Sequence, residues 1–132
     1  MALLIGWSSI SIAQKAASLS EEAAVIEKGK GIFAGNCAQC HAVHKKVVGP
    51  ALAGVYERQS IPWLINFIKY PEKVIKSGDP HAVELYNQYK QYMPNHDFLS
   101  DEEIIAVLSY IQDETKKGPP QETVAATSAG AV

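Results

Sequence analysis

Cysteine is nearly absent from this chain of 132 residues, which holds only Cys37 and Cys40. That supply offers no disulfide framework. It also falls short of a structural zinc site, which takes about four Cys or His ligands in two close-spaced pairs. Methionine is as scarce, with Met1 and Met93 alone. An excess of either charge is lacking too. The formal net charge is -2 and the hydrophobic share is an ordinary 47%, which argues against disorder and against a nucleic-acid role. No apolar run reaches the ~20 residues that a bilayer-spanning helix takes. No segment alternates convincingly enough for a sheet, and no βαβ pattern is visible, so the expected fold class is all-α. The length suits one domain, and a domain this small is normally short of core.

What the chain does hold is a concentrated motif, Cys37-Ala38-Gln39-Cys40-His41. A thioredoxin-type Cys-x-x-Cys belongs beside a βαβ unit, and none is present. The run reads instead as a covalent attachment site for one c-type haem. Its two thiols bond the porphyrin vinyl groups, and the adjacent imidazole reaches the iron from one face. A covalently held porphyrin also supplies the apolar nucleus that a small core lacks. The iron then needs a second ligand or an open position, and a methionine thioether is the soft choice. Removal of an N-terminal signal would take Met1 away, leaving Met93 in Tyr92-Met93-Pro94-Asn95. Proline disfavours helix at the residue before it, so Met93 is expected where a helix gives way to extended loop. The competing readings are Met93 as core filler and His96, His44 or His81 as the ligand, His96 first because it shares the loop.

Residues 1–13 are apolar with scattered serines, and Ser11-Ile12-Ala13 resembles a small-x-small cleavage site. The segment is expected to be a signal peptide, although its start lacks Lys or Arg. Residues 14–19 are expected to be a linker, 20–116 the folded domain and 117–132 a disordered Pro/Ala-rich tail. Within the domain, Ser18 or Ser20 should cap a first helix running to about Gly35. Lys45 to Tyr56, with Gly49-Pro50 and Gly54, should be loop. A short helix is expected from Ile61 to Tyr70, ended by Pro71, and another from Pro80 to about Tyr92. Ser100-Asp101-Glu102-Glu103 is a capping box opening a last helix to about Thr115. Residues 28–90 carry nine Lys or Arg against four acids, a formal +5, and the remainder of the chain sums to -7.

From Glu22 to Thr115 the chain resembles the class I, mitochondrial-like c-type cytochromes. The likeness rests on the Cys-x-x-Cys-His run, on Gly29-Lys30-Gly31-Ile32-Phe33 and on Gly49-Pro50-Ala51-Leu52. The Met93-Pro94 loop and Leu108-Ser109-Tyr110-Ile111 complete it. The resemblance implies about four to five helices around one haem c, with Gly29 and Phe33 crossing Val107 and Tyr110 at close range. It implies that the Pro50 carbonyl accepts a hydrogen bond from His41, that His41 and Met93 are the iron ligands, and that Cys37 and Cys40 carry the porphyrin. The function implied is single-electron transfer, not catalysis, between redox protein partners such as a terminal oxidase, a reductase or a cytochrome bc-type complex. An acidic patch on the partner would meet the basic middle segment. The carrier would be a monomer on the outer side of a bacterial inner membrane. Trp63, Tyr56, Tyr86, Tyr89 and Tyr92 are candidate donors to a haem propionate or plain core residues. The alternatives are an open-site haem protein, such as a peroxidase or gas sensor, and a subunit of a larger oxidoreductase complex.

Overall fold

A computed structural model describes residues 18–121. Its helices are α1 (Ala23–Asn36), α2 (Val55–Arg58), α3 (Ile61–Lys69), α4 (Pro71–Lys76), α5 (Pro80–Tyr89) and α6 (Asp101–Lys117). No strand occurs among the described residues, in keeping with the all-α expectation, though the helices number six. Residues 1–13, most of the expected linker and the tail from 122 onward lie outside the described residues.

Prolines and capping side chains explain most of the boundaries. The Ser100 hydroxyl accepts from the Glu103 N–H and the Glu103 carboxylate from the Ser100 N–H, the reciprocal pair that the sequence predicts for α6. Acids fill its first turn and Lys116 and Lys117 its last, as the helix dipole favours. Ser60 caps α3 and Asp79 caps α5. Pro71 does more than end α3: it occupies the first turn of α4, the helical position proline suits best. The expected helix to Tyr92 stops at Tyr89, because Lys90 turns left-handed at φ 52°. The loop expected over Lys45–Tyr56 already enters α2 at Val55, after Gly54 at φ 70°.

The first helix starts later than expected. No side chain caps α1, whose N-cap is Glu22. Ser20 serves otherwise, accepting from the Glu22 N–H at 3.1 Å while its own N–H donates to Ser109 Oγ at 2.9 Å. Leu19, placed in the linker on sequence grounds, packs on the core. The α1–α6 crossing organises that core. A Cβ on Gly29 would overlap the Ala106 carbonyl and stand 2.9 Å from the Val107 nitrogen, so the helices meet backbone to backbone. Phe33 and Tyr110 pack beside that point with ring centroids 5.3 Å apart. Ile104, Leu108 and Ile111 of α6 are fully buried, and Leu64 of α3, Leu99 and Val43 join them.

Candidate functional site

The haem-attachment motif is wound as a continuation of α1. The Cys37 N–H donates to the Phe33 carbonyl at 2.8 Å, and the Cys40 and His41 N–H groups both reach the Cys37 carbonyl, at 3.1 and 2.9 Å. The chain then folds back on itself. The Gly49 N–H bonds the Cys40 carbonyl at 2.7 Å and the Ala53 N–H bonds the Val43 carbonyl at 2.7 Å. This return brings the Pro50 carbonyl to 2.9 Å from His41 Nδ1. A carbonyl can only accept, so Nδ1 carries the ring proton and Nε2 keeps its lone pair for a metal. Gly49 lies against the same ring, where a Cβ would stand 2.5 Å from Cε1. Sequence reasoning misses that contact: Gly49 is legible as part of a turn, and the family resemblance speaks only for the Pro50 carbonyl.

Cys37, Cys40, His41 and Met93 line one cavity of about 340 Å³, whose wall is chiefly apolar side chains. Burial pushes the Cys37 thiol up to about 11. Met93 is half-buried in the irregular segment after α5, as its place before Pro94 predicts. Three residues on, the His96 N–H is shared between the Ile68 and Lys69 carbonyls at 3.1 and 3.2 Å, which pins this segment to the end of α3. His96 is only 7% exposed and also belongs to the cavity wall. Its Nδ1 is buried and has no hydrogen-bond partner among the described residues.

The other candidates fall into place around this frame. His44 is engaged elsewhere, its Nε2 donating to the Glu114 carbonyl at 2.9 Å. The Trp63 indole N–H, a candidate for a propionate, donates instead to Asp79 Oδ2 at 3.1 Å. Trp63 stacks on Phe67 at 4.9 Å and meets the edge of His81 at 5.2 Å. The Ala82 N–H and then the Trp63 N–H hold the Asp79 carboxyl below the usual carboxylate range. Tyr86 and Tyr92 stack at 4.5 Å, and the Lys46 ammonium sits 4.9 Å over the Tyr89 ring.

Two thiols, an imidazole with one nitrogen committed and the other free, and a thioether share an apolar cavity. That donor set fits a covalently attached iron porphyrin. The Cytochrome c family model matches residues 26–114. The chain belongs to the cytochrome c family. Among solved structures it is similar to a cytochrome c from Rhodothermus marinus, with a TM-score of 0.68 and 28% identity over 76% of this chain and 86% of that one. The cytochrome c domain of a Pseudomonas putida protein is 34% identical over 67% of this chain and 89% of that one, with a TM-score of 0.59. An engineered R. marinus cytochrome c bound to a carbene intermediate also matches, at 29% identity and a TM-score of 0.64 over 75% of this chain and 86% of that one. This is therefore a class I c-type cytochrome that binds covalently attached haem c, in a family of electron carriers with redox protein partners.

Proposed function

We propose that this cytochrome carries single electrons through a haem iron held by His41 and Met93, with the porphyrin bonded to Cys37 and Cys40. The observation that carries the reading is the 2.9 Å bond from His41 Nδ1 to the Pro50 carbonyl. It fixes the tautomer, aims Nε2 at the cavity and makes the imidazole a stronger donor. Bound haem c supplies an iron that changes oxidation state by one electron. His41 and Met93 would hold that iron, Cys37 and Cys40 would hold the porphyrin, and the apolar side chains of the cavity would pack against the ring. An iron held by a thioether and an imidazole would have a higher reduction potential than one held by two imidazoles, which suits a terminal oxidase or reductase as acceptor. His96 lacks what His41 has, a partner for its second ring nitrogen.

The partner's docking site is the basic rim beside the cavity mouth. Lys45, Lys46 and Lys90 are exposed and make no ion pair among the described residues. Val47 and Val48 beside them are 46% and 48% exposed. An acidic patch on a redox partner complements this surface and is steered to it by charge. The apolar segment 1–13 supports export to the periplasm, where the mature chain works as a monomer.

The absorption spectrum of the full-length, haem-matured protein tests the ligation. The ferric form should show the weak far-red band of a methionine-ligated haem, and Met93→Ala should abolish it. A high-spin haem, or a low-spin haem without that band, would refute Met93 as the ligand. Tight cyanide or carbon monoxide binding without denaturant would favour an open-site protein.

A further inference from the structure

We propose that the Asp79 carboxylate acts as a fixed negative charge on the haem and lowers the reduction potential of its iron. The effect requires a haem in the cavity but no particular sixth ligand, so it stands or falls apart from Met93. Asp79 spends its two oxygens on two different helices. Oδ1 accepts from the Ala82 N–H at 2.9 Å as the cap of α5, and Oδ2 accepts from the Trp63 indole N–H at 3.1 Å. Capping alone takes one acceptor, which a neutral serine supplies at Ser60 and Ser100. The second bond joins α5 to α3.

That bond decides where the charge sits. Trp63 and His81 line the haem cavity, whereas Asp79 stands behind that wall, half-buried. Phe67 stacks on the indole at 4.9 Å and 7°, and His81 meets it at 5.2 Å in a T-shaped pair. A ring fixed in this way cannot turn its N–H toward a haem carboxylate and keep its bond to Asp79. The carboxylate is therefore one indole ring removed from the cavity.

The charge is also uncompensated. Both donors are neutral, and Asp79 forms no ion pair among the described residues. The Ala82 N–H and then the Trp63 N–H hold its carboxyl below the usual range, so it stays ionised through neutral pH. His81 is the titratable side chain that bears on it among the described residues. Loss of an electron leaves the iron with one more positive charge, and a nearby negative charge favours that state. Such an attraction needs no contact, and an apolar cavity wall screens it less than water does.

The test is the reduction potential of the holoprotein, read at pH 8, where an ordinary histidine is neutral. Asp79→Asn removes the charge and keeps one acceptor. It should shift the ferric–ferrous equilibrium about threefold toward ferrous, ~28 mV higher for one electron. Asp79→Ser keeps a cap without the indole bond and should raise the potential equally; it serves alone if Asp79→Asn does not mature with haem. Trp63→Phe breaks the same bond but leaves the carboxylate, and should move the potential less than half as far. An unchanged potential in the Asp79 variants would overturn the inference. So would a rise in Trp63→Phe as large as theirs, which would make the seating of the indole the cause. The far-red band, read in the same samples, reports the Met93 ligation separately.

Discussion

Gly29→Ala should destabilise the holoprotein although it improves a helix. In an unopposed helix interior the change from glycine to alanine gains about 0.5–1 kcal/mol. Here the new Cβ would enter the space of the Ala106 carbonyl and crowd the Val107 nitrogen. Both are backbone atoms of α6, so no rotamer change relieves the overlap and the two helices must move apart. That movement loosens the contacts of Phe33 with Tyr110 and of the buried face of α6. Overpacking of a tight core costs about 1–3 kcal/mol, and a helix pair forced apart belongs at the upper end. After the helix gain is subtracted, a net loss of about 2 kcal/mol is expected, or ~8–16 °C in melting temperature for a domain of roughly this size. Gly31→Ala is the control, because a Cβ there meets nothing within 4 Å. It should stabilise by the propensity gain alone. Urea unfolding of the ferric holoproteins, followed by the midpoint at constant slope, measures both. Ala106→Gly should not rescue Gly29→Ala, since the obstructing atom is a carbonyl oxygen. The reasoning fails if the alanine at 29 is tolerated as well as the one at 31.

Gly49→Ala should disturb the iron rather than the fold, since its Cβ would push on the His41 ring at 2.5 Å; a shifted potential and visible spectrum are expected, and an unchanged pair of readings would count against the packing. Asp79→Asn should lower the melting temperature at pH 7, and by progressively less as the pH is taken below the ordinary carboxylate range. The folded-state pKa is depressed by the Ala82 and Trp63 N–H groups, so its stabilisation is full above the ordinary carboxylate range and is lost as pH falls through the depressed value. Destabilisation that stays the same as the pH falls through the acid range would refute it. Electron transfer to an acidic redox partner should slow as salt rises, and neutralising Lys45, Lys46 and Lys90 should flatten that dependence. A rate indifferent to salt would remove the basic rim from the docking account.

Legibility in the sequence followed the range of the interactions involved. The Ser100–Glu103 box and the Pro80 first turn are decided within four residues, and each is readable. The same local reading misplaced the start of α1, because the Ser20 backbone is claimed by Ser109, distant in sequence and hidden from any window. It took Pro71 as an end where it is also a beginning, since Tyr70 serves both as the last cap of α3 and the first of α4. Trp63 was ambiguous between a haem group and packing until Asp79 was seen to accept its N–H. The His41–Pro50 bond was expected only through the family resemblance. Its physical cause, the return of the loop through the Gly49–Cys40 and Ala53–Val43 bonds, carries no compositional mark beyond two glycines and a proline.

The two walls of the cavity are therefore built on different terms. Everything that presents His41, from the Phe33 carbonyl under the Cys37 turn to the Ala53–Val43 bond, lies between residues 33 and 53 and is held by backbone bonds of its own. Met93 has no such local frame. Its segment leaves α5 through a left-handed Lys90 and is anchored at His96 by carbonyls of α3, after which Leu99 and the Ser100 cap lead into α6. The imidazole's position is thus a property of one loop, whereas the thioether's is a property of how α3, α5 and α6 pack. That difference explains why a motif points to His41 at once and to Met93 only by elimination. It also makes the place of Met93 in the cavity wall depend on tertiary packing. His96 is the residue at which the anchoring bonds and the cavity wall coincide.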